Sequence, residues 1–322
     1  MLAAYAASQS MGDPLSGLKI GEVAEPEPQP GWSVVTMKAA TLNHHDLWSL
    51  MGVGLPADRL PMILGCDGAG VTDDGREVIL HAVVASPGWS GDETLDPRRS
   101  ILSELYQGTF SERVAVPTVN LIDKPAGMSW EVAAALPTAW LTAYRMLFTR
   151  ADVSPGSLVL VQGAGGGVST ACIQLAVAAG LRVWVTSRNE EKRRQALALG
   201  AEAAFGSVER LPEKVDAVME TVGAATWSHS VNVLRPGGTI VISGATSGDA
   251  PSRAELTKIF FRQLRVVGST MGNRHELERL TQLVARRGID PQIDEVLPLA
   301  EASRGFERLA SGEAFGKVVL TA

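Results

Sequence analysis

Cysteine is nearly missing: Cys66 and Cys172 are the only two in a chain of 322 residues. That excludes a disulfide framework and a Cys-rich zinc lobe, and it suits a reducing compartment, so a cytoplasmic location is expected. Basic runs longer than the three residues 192–194 are missing too, and the formal net charge is −6. Neither nucleic acid nor an anionic membrane is therefore expected as the main partner. Residues 1–12 lack a cationic region followed by a continuous apolar run, so no signal peptide is expected. An uninterrupted apolar span is missing in a less obvious way. Residues 154–181 contain no charged side chain and are long enough to cross a bilayer. Pro155, Gly156, the glycines at 163, 165, 166 and 167, and Gly180 break that stretch, so strand, loop and helix are expected there instead. Internal repeats and low-complexity segments are absent.

What is present points to two domains. A chain of 322 residues exceeds one ordinary core, and its 45% hydrophobic content is enough to pack two. The first part reads as short strands and turns. Residues 33–42 and 78–84 are β-rich, bounded by the proline-rich segment 25–31 and by Asp73-Asp-Gly75. The proline run could serve as a PxxP ligand, but a rigid inter-strand loop is the expected role. From about Ala126 strands and helices alternate. Strands are expected at 158–162, 182–186, 216–219, 239–243 and 265–269. Helices are expected at 168–179, ending at Gly180, and from the N-cap Asn189 to Gly200, with two more near 227–234 and 253–264. This order predicts a parallel, doubly wound sheet. The tail, 296–322, ends in a strand at 317–321 that could pack on either domain.

The segment Gly163-Ala-Gly-Gly-Gly-Val-Ser169 follows one expected strand and opens one expected helix. Glycines let a backbone approach a pyrophosphate, and the helix N-terminus offers free N–H groups and partial positive charge. Ala164, Gly165, Gly166, Gly167 and Val168 are the expected contacts. Ser169 stands where a third glycine is usual and is small enough to serve. The next strand ends in Thr186-Ser-Arg188-Asn, with no carboxylate before Glu190. An NAD site would place an acid here to hold the ribose 2′-hydroxyl. Arg188, Lys192 and Ser187 instead suit a 2′-phosphate, and NADPH is the expected cofactor. The competing reading makes Arg188 and Lys192 part of a solvated helix face with Arg193 and Arg194.

Further motifs run in order along the chain: Asn43-His-His-Asp46, Leu64-Gly-Cys-Asp-Gly-Ala-Gly70, Gly108-Thr-Phe-Ser-Glu112, Leu136-Pro-Thr-Ala-Trp-Leu-Thr-Ala-Tyr144, Leu234-Arg-Pro-Gly-Gly238 and Gly316-Lys-Val-Val-Leu320. With the glycine loop, they resemble the medium-chain dehydrogenase/reductase superfamily, in particular its quinone oxidoreductase-like branch. The resemblance implies an α/β protein. A GroES-like partial β-barrel catalytic domain would span 1–126 and 296–322, and a Rossmann doubly wound parallel-sheet domain 127–295. A homodimer is the family expectation.

By that resemblance Asn43 and Thr142 lie near nicotinamide and substrate, and Val222, Ser243, Gly244, Ser269, Thr270 and Lys317 lie along the cofactor. Trp48 stands where a Tyr is frequent and could stack on a flat substrate. Asp46, among the candidate catalytic residues, is better suited to orienting or N-capping. Zinc-dependent relatives carry Cys at the place of Asn43, His-Glu at Cys66-Asp67 and a further Cys near Leu136. The four-Cys loop is replaced by 90–103, which holds Asp92, Glu93, Asp96, Arg98 and Arg99. No metal is expected, although His44 or His45 with Cys66 and Asp67 could improvise a site. The implied activity is zinc-free, NADPH-dependent reduction of a quinone or α,β-unsaturated carbonyl. Bound water is the expected proton source, because no general acid stands out. The alternatives are an alcohol dehydrogenase with atypical zinc ligands and a non-catalytic NADPH-binding protein.

Overall fold

The computed structural model describes residues 1–322 as two compact units. The first is Met1–Ala139 with Asn273–Ala322, and the second is Trp140–Gly272. The divisions therefore fall after the expected 126 and before the expected 296. The first unit opens with β1 (Leu2–Ala6), β2 (Leu18–Glu22), β3 (Trp32–Thr41), α1 (His44–Leu50), β4 (Met62–Ile63), β5 (Asp67–Thr72) and β6 (Glu77–Leu80). It continues with β7 (Val83–Val84), β8 (Ser100–Ile101), β9 (Arg113–Pro117), β10 (Leu121–Asp123) and α2 (Trp130–Ala135).

The second unit contains α3 (Leu141–Tyr144), β11 (Leu158–Gln162), α4 (Gly167–Ala178), β12 (Arg182–Thr186), α5 (Glu190–Ala198), β13 (Ala203–Phe205) and β14 (Val215–Glu220). It closes with α6 (Trp227–Val233), β15 (Leu234–Ile242), α7 (Leu256–Phe261) and β16 (Arg265–Gly268). The chain then returns to the first unit through α8 (Arg274–Arg287), β17 (Ile293–Pro298), α9 (Ala302–Ala310) and β18 (Lys317–Thr321).

The main sheet of the first unit runs β10-β6-β5-β3-β18-β17, with β9 also paired to β3. Strand β18 pairs antiparallel with β3, placing Val319 opposite Thr41, so the tail closes this unit. Strands β3 and β5 approach so closely that a Cβ on Gly70 would stand 2.2 Å from the Thr36 carbonyl oxygen. Residues 78–84, expected as one strand, form two strands in separate sheets. The Asn120 side chain donates to the carbonyls of His81 and Val83 at 2.8 and 2.7 Å, and this ties the chain down at the break.

In the loop that lacks cysteines, the buried Asp96 is the tie. Its carboxylate accepts from the backbone N–H groups of Ser86 at 2.7 Å and Arg98 at 2.8 Å. Burial alone would raise this carboxyl, but those bonds outweigh it and hold the group below the usual carboxylate range. A depressed folded-state pKa means the contribution is present above the unfolded value and lost as pH falls through the folded one. Asp96→Ala removes both bonds, so limited proteolysis within 86–103 should become faster than in the unaltered protein. An unchanged cleavage rate would show that the loop is held by something else.

The second unit is a parallel sheet in the order β13-β12-β11-β14-β15-β16. Its central strand β11 is buried along its whole length, which explains the unbroken apolar run. One face packs Leu160, Trp184, Val218, Val231 and Ile240 into a core. The uncharged stretch resolves as expected into strand, glycine loop and helix α4, which Gly180 ends at φ +76°. No helix is long and apolar enough to cross a membrane. Two expectations are corrected. The helix foreseen over 253–264 is only Leu256–Phe261, because Glu255 enters it from the left-handed region at φ 59°. The strand foreseen over 239–243 already begins at Leu234.

Candidate functional site

All strands of the second unit are parallel, so their C-terminal ends share one edge. The strand order reverses between β11 and β14, the switch point where such sheets open a crevice for ligands. The turns following β11, β12, β14, β15 and β16 carry Ala164 to Val168, Ser187 and Arg188, Val222, Ser243 and Gly244, and Ser269 and Thr270. The expected cofactor residues of this unit are thus gathered on one edge, joined by Lys192 from the first turn of α5.

The local geometry suits a dinucleotide. Gly163 turns the chain at φ +80°, with a Val222 methyl 3.5 Å from where a Cβ would sit. Gly166 caps α4 in extended conformation, and a Cβ there would meet nothing within 4 Å. That leaves room beside the free N–H groups of the helix start for a phosphate. Lys192 lies across the loop, its Nζ 2.7 Å from a Cβ built on Gly165.

The neighbouring arginines divide cleanly. Arg193 donates to the Ser187 carbonyl at 2.8 Å, and Arg194 pairs with Glu191. Arg188 is exposed and engages no protein group. Arg194 is thus tied to the helix surface, while Arg188 is exposed and unpaired, as both the solvated-face reading and an anion site allow. Ser187 Oγ accepts from the Asn189 N–H at 3.2 Å, Ser243 Oγ donates to Met146 Sδ at 3.1 Å, and Ser269 Oγ is buried without a partner. Thr142 is buried on α3.

In the first unit, a second cluster surrounds the residues expected to contact nicotinamide and substrate. The Asp67 carboxylate at the start of β5 is fully buried. Its Oδ2 accepts from Thr41 Oγ1 at 2.7 Å, Asn43 Nδ2 at 2.8 Å and Lys317 Nζ at 3.0 Å. Lys317 also donates to the Leu42 carbonyl at 2.7 Å and Asn43 Oδ1 at 2.6 Å. All three of its protons are thereby used in a buried setting, which corrects the expectation that Lys317 contacts the cofactor. Asn43 is likewise committed at both ends of its amide rather than free to meet a substrate. Asp46 accepts from the Asn43 N–H at 2.7 Å and the Gly65 N–H at 3.1 Å. It anchors the start of α1, and burial pushes its carboxyl up to about 6. This is the capping geometry weighed for it against a catalytic part. Trp48 is partly exposed, its ring tilted against His44.

Donor atoms of His45, Asp46 and Cys66 lie within 4.8 Å of one another. They do not make a good zinc site. Both Asp46 oxygens hold backbone N–H groups, and burial keeps the Cys66 thiol well above its ordinary value and so protonated. The Lys317 ammonium on Asp67 would repel a dication. One residue escaped sequence reading. Glu104 reaches His45 Nε2 at 3.2 Å across 59 residues of chain. Burial opposes charge on His45, but the bond to Glu104 and the nearby carboxylates outweigh it and raise its pKa. No local pattern marks that pairing in the sequence.

Fold and site together describe a two-unit dehydrogenase or reductase, and comparison with known proteins places it. The alcohol dehydrogenase GroES-like domain family model matches residues 29–126, and the zinc-binding dehydrogenase model matches 167–286. The chain belongs to the medium-chain dehydrogenase/reductase superfamily. It is 30% identical to an acryloyl-coenzyme A reductase of Metallosphaera sedula, covering 95% of this chain and 96% of that one. The crystal structure of an NAD-dependent alcohol dehydrogenase matches with TM-score 0.91 and 34% identity over 100% of both chains. A 2-octenoyl-CoA carboxylase reductase, solved with NADP and 2-octenoyl-CoA, matches with TM-score 0.90 and 25% identity, over 100% of this chain and 87% of that one.

Proposed function

We propose that this oxidoreductase uses NADPH to reduce a conjugated acceptor, an α,β-unsaturated carbonyl or a quinone, without a zinc ion. The observation that carries the reading is the Lys317 ammonium seated on Asp67 and Asn43, where relatives would gather metal ligands. Without a Lewis acid, the acceptor must stabilise its own developing negative charge, as conjugated carbonyls do. The bound nicotinamide supplies the hydride, while Arg188, Lys192 and the glycine loop hold the phosphates and fix its position. The acryloyl- and octenoyl-CoA relatives favour an enoyl thioester over a quinone. A homodimer accords with the open edge of β16, where Val266 is exposed, and with the exposed Phe260 and Phe261 of α7.

Following NADPH absorbance with an enoyl thioester, a quinone and a simple aliphatic aldehyde tests this. Conjugated acceptors should be reduced far faster than the aldehyde, since metal polarisation of a plain carbonyl is worth roughly several kcal/mol. Faster turnover of the aldehyde would overturn the proposal. The likeness to an NAD-dependent alcohol dehydrogenase supports a second reading, alcohol oxidation. That reading requires NAD-linked activity on alcohols, and the same assay run in reverse distinguishes it.

A further inference from the structure

Beneath the cofactor-facing edge of the second unit runs a buried chain of polar groups. Thr186, the last residue of β12, donates through Oγ1 to Gln162 Oε1 at 2.5 Å, and Gln162 ends β11. Gln162 Nε2 donates both its protons, to His229 Nδ1 at 2.9 Å and Ser230 Oγ at 2.9 Å. Ser230 Oγ donates to Glu220 Oε2 at 2.5 Å, and Glu220 ends β14. Glu220 Oε1 accepts from the N–H groups of Val222 at 2.8 Å and Gly223 at 3.0 Å, and from Thr226 Oγ1 at 2.9 Å. Gln162, Thr186, Glu220, Ser230 and Thr226 are all buried. One network thus fixes three strand ends from which the glycine loop, Ser187-Arg188 and the Val222 turn emerge.

The protons on this network have one consistent direction. His229 Nε2–H donates to the Glu209 carbonyl at 2.7 Å, so its Nδ1 must be the unprotonated acceptor for Gln162. A proton on Nδ1 would face the Gln162 amide hydrogens. Relief would require the amide to turn over, pointing Oε1 at His229 and Ser230. Ser230 would then give its proton to Gln162 and withdraw it from Glu220. Protonation of one imidazole therefore reverses the Thr186–Gln162 bond and costs Glu220 the bond from Ser230, so it is felt at all three strand ends.

We propose that Gln162, His229 and Glu220 form a positioning device for the dinucleotide-binding turns, set correctly only while His229 is neutral. The inference rests on the cofactor reading given above. Burial supports it by pushing His229 below its ordinary value. The charged groups facing the imidazole are Glu220 from β14 and Lys214 from the turn before it, with the Glu209 backbone on the remaining side.

The test measures binding rather than turnover. Dissociation constants of NADH and NADPH are followed between about pH 5 and pH 8 for the unaltered protein and His229→Asn, whose amide oxygen can accept from Gln162 without titrating. NADH is the cleaner probe, because a phosphate monoester titrates near pH 6 on its own. For the unaltered protein, NADH affinity should fall as the pH drops, approaching about tenfold per pH unit once the free imidazole protonates. His229→Asn should show a flat NADH profile. Superimposable profiles would overturn the proposal.

A second measurement needs no substitution. By reciprocity, saturating NADH should lower the His229 pKa read from its imidazole NMR signals. An unmoved pKa would also overturn the proposal. Failure of both cofactors to bind at any pH would instead sink the cofactor reading itself. The free protein supplies a separate check. A depressed histidine contributes stability that is present above the ordinary histidine value of 6.5 and lost as pH falls, so His229→Asn should flatten the acid side of the unfolding profile.

Discussion

Replacing Arg188 by alanine should weaken NADPH binding about tenfold to a hundredfold and leave NADH nearly untouched. The guanidinium stands at the end of β12, exposed and without a protein partner, while Arg193 and Arg194 beside it are engaged. A hydrogen bond to a charged group contributes roughly 1.5–3 kcal/mol, and about 1.4 kcal/mol is tenfold, which sets the range. The 2′-phosphate is the only part of NADPH that NADH lacks, so the two cofactors separate loss of that contact from damage to the fold. Arg188→Asp should go further, repelling the phosphate while offering NADH a ribose partner, and the preference should invert. Both dissociation constants must be measured at one ionic strength, because salt screens the contact. Equal weakening of the two cofactors would assign Arg188 to the fold, and an unaltered protein that prefers NADH would remove the NADPH proposal.

Asp67→Ala should destabilise the protein by about 3–5 kcal/mol, among the largest effects open to a single substitution. The alanine would leave Lys317, 2% exposed in its side chain, with no anion. Removing one partner of a buried pair costs more than removing both, because the survivor keeps its desolvation penalty. Asp67→Leu combined with Lys317→Met should therefore recover much of what either single change loses. Urea unfolding of the unaltered protein, Asp67→Leu, Lys317→Met and the double variant measures this, and additive losses would show that the two charges are independent. Lys317→Met should leave NADPH affinity close to normal in molecules that remain folded, since its protons are spent inside the first unit.

Much of the second unit was legible because its signals are local. The Gly163–Ser169 turn, the Asn189 cap with Glu190 and Glu191 behind it, and the unbroken apolar strand before them lie within a few residues of one another. The position of Arg188 at the end of β12 followed from the same short span. The first unit was harder. Lys317, Asn43 and Asp67 meet across 274 and 250 residues of chain, and no periodicity announces that meeting. Resemblance named Asn43 and Lys317 but not the bonds between them, because a motif gives a residue's place and not the partners that saturate its protons. One local signal was overlooked. Asn273 and Glu276 form a capping box at the start of α8, which also marks where the chain rejoins the first unit.

The interrupted path of the first unit also bears on the order of events during translation. Residues 140–272 contain every strand of the parallel sheet, so the second unit has its full complement of partners once Gly272 has left the ribosome. The earlier-made segment, 1–139, must wait. Until residues 317–321 arrive, β3 lacks β18 and Asp67 lacks its ammonium, leaving an open strand edge and an uncompensated carboxylate. The polypeptide made first is thus the last to be completed, and during that interval its unpaired β3 edge is the feature that invites pairing with another chain.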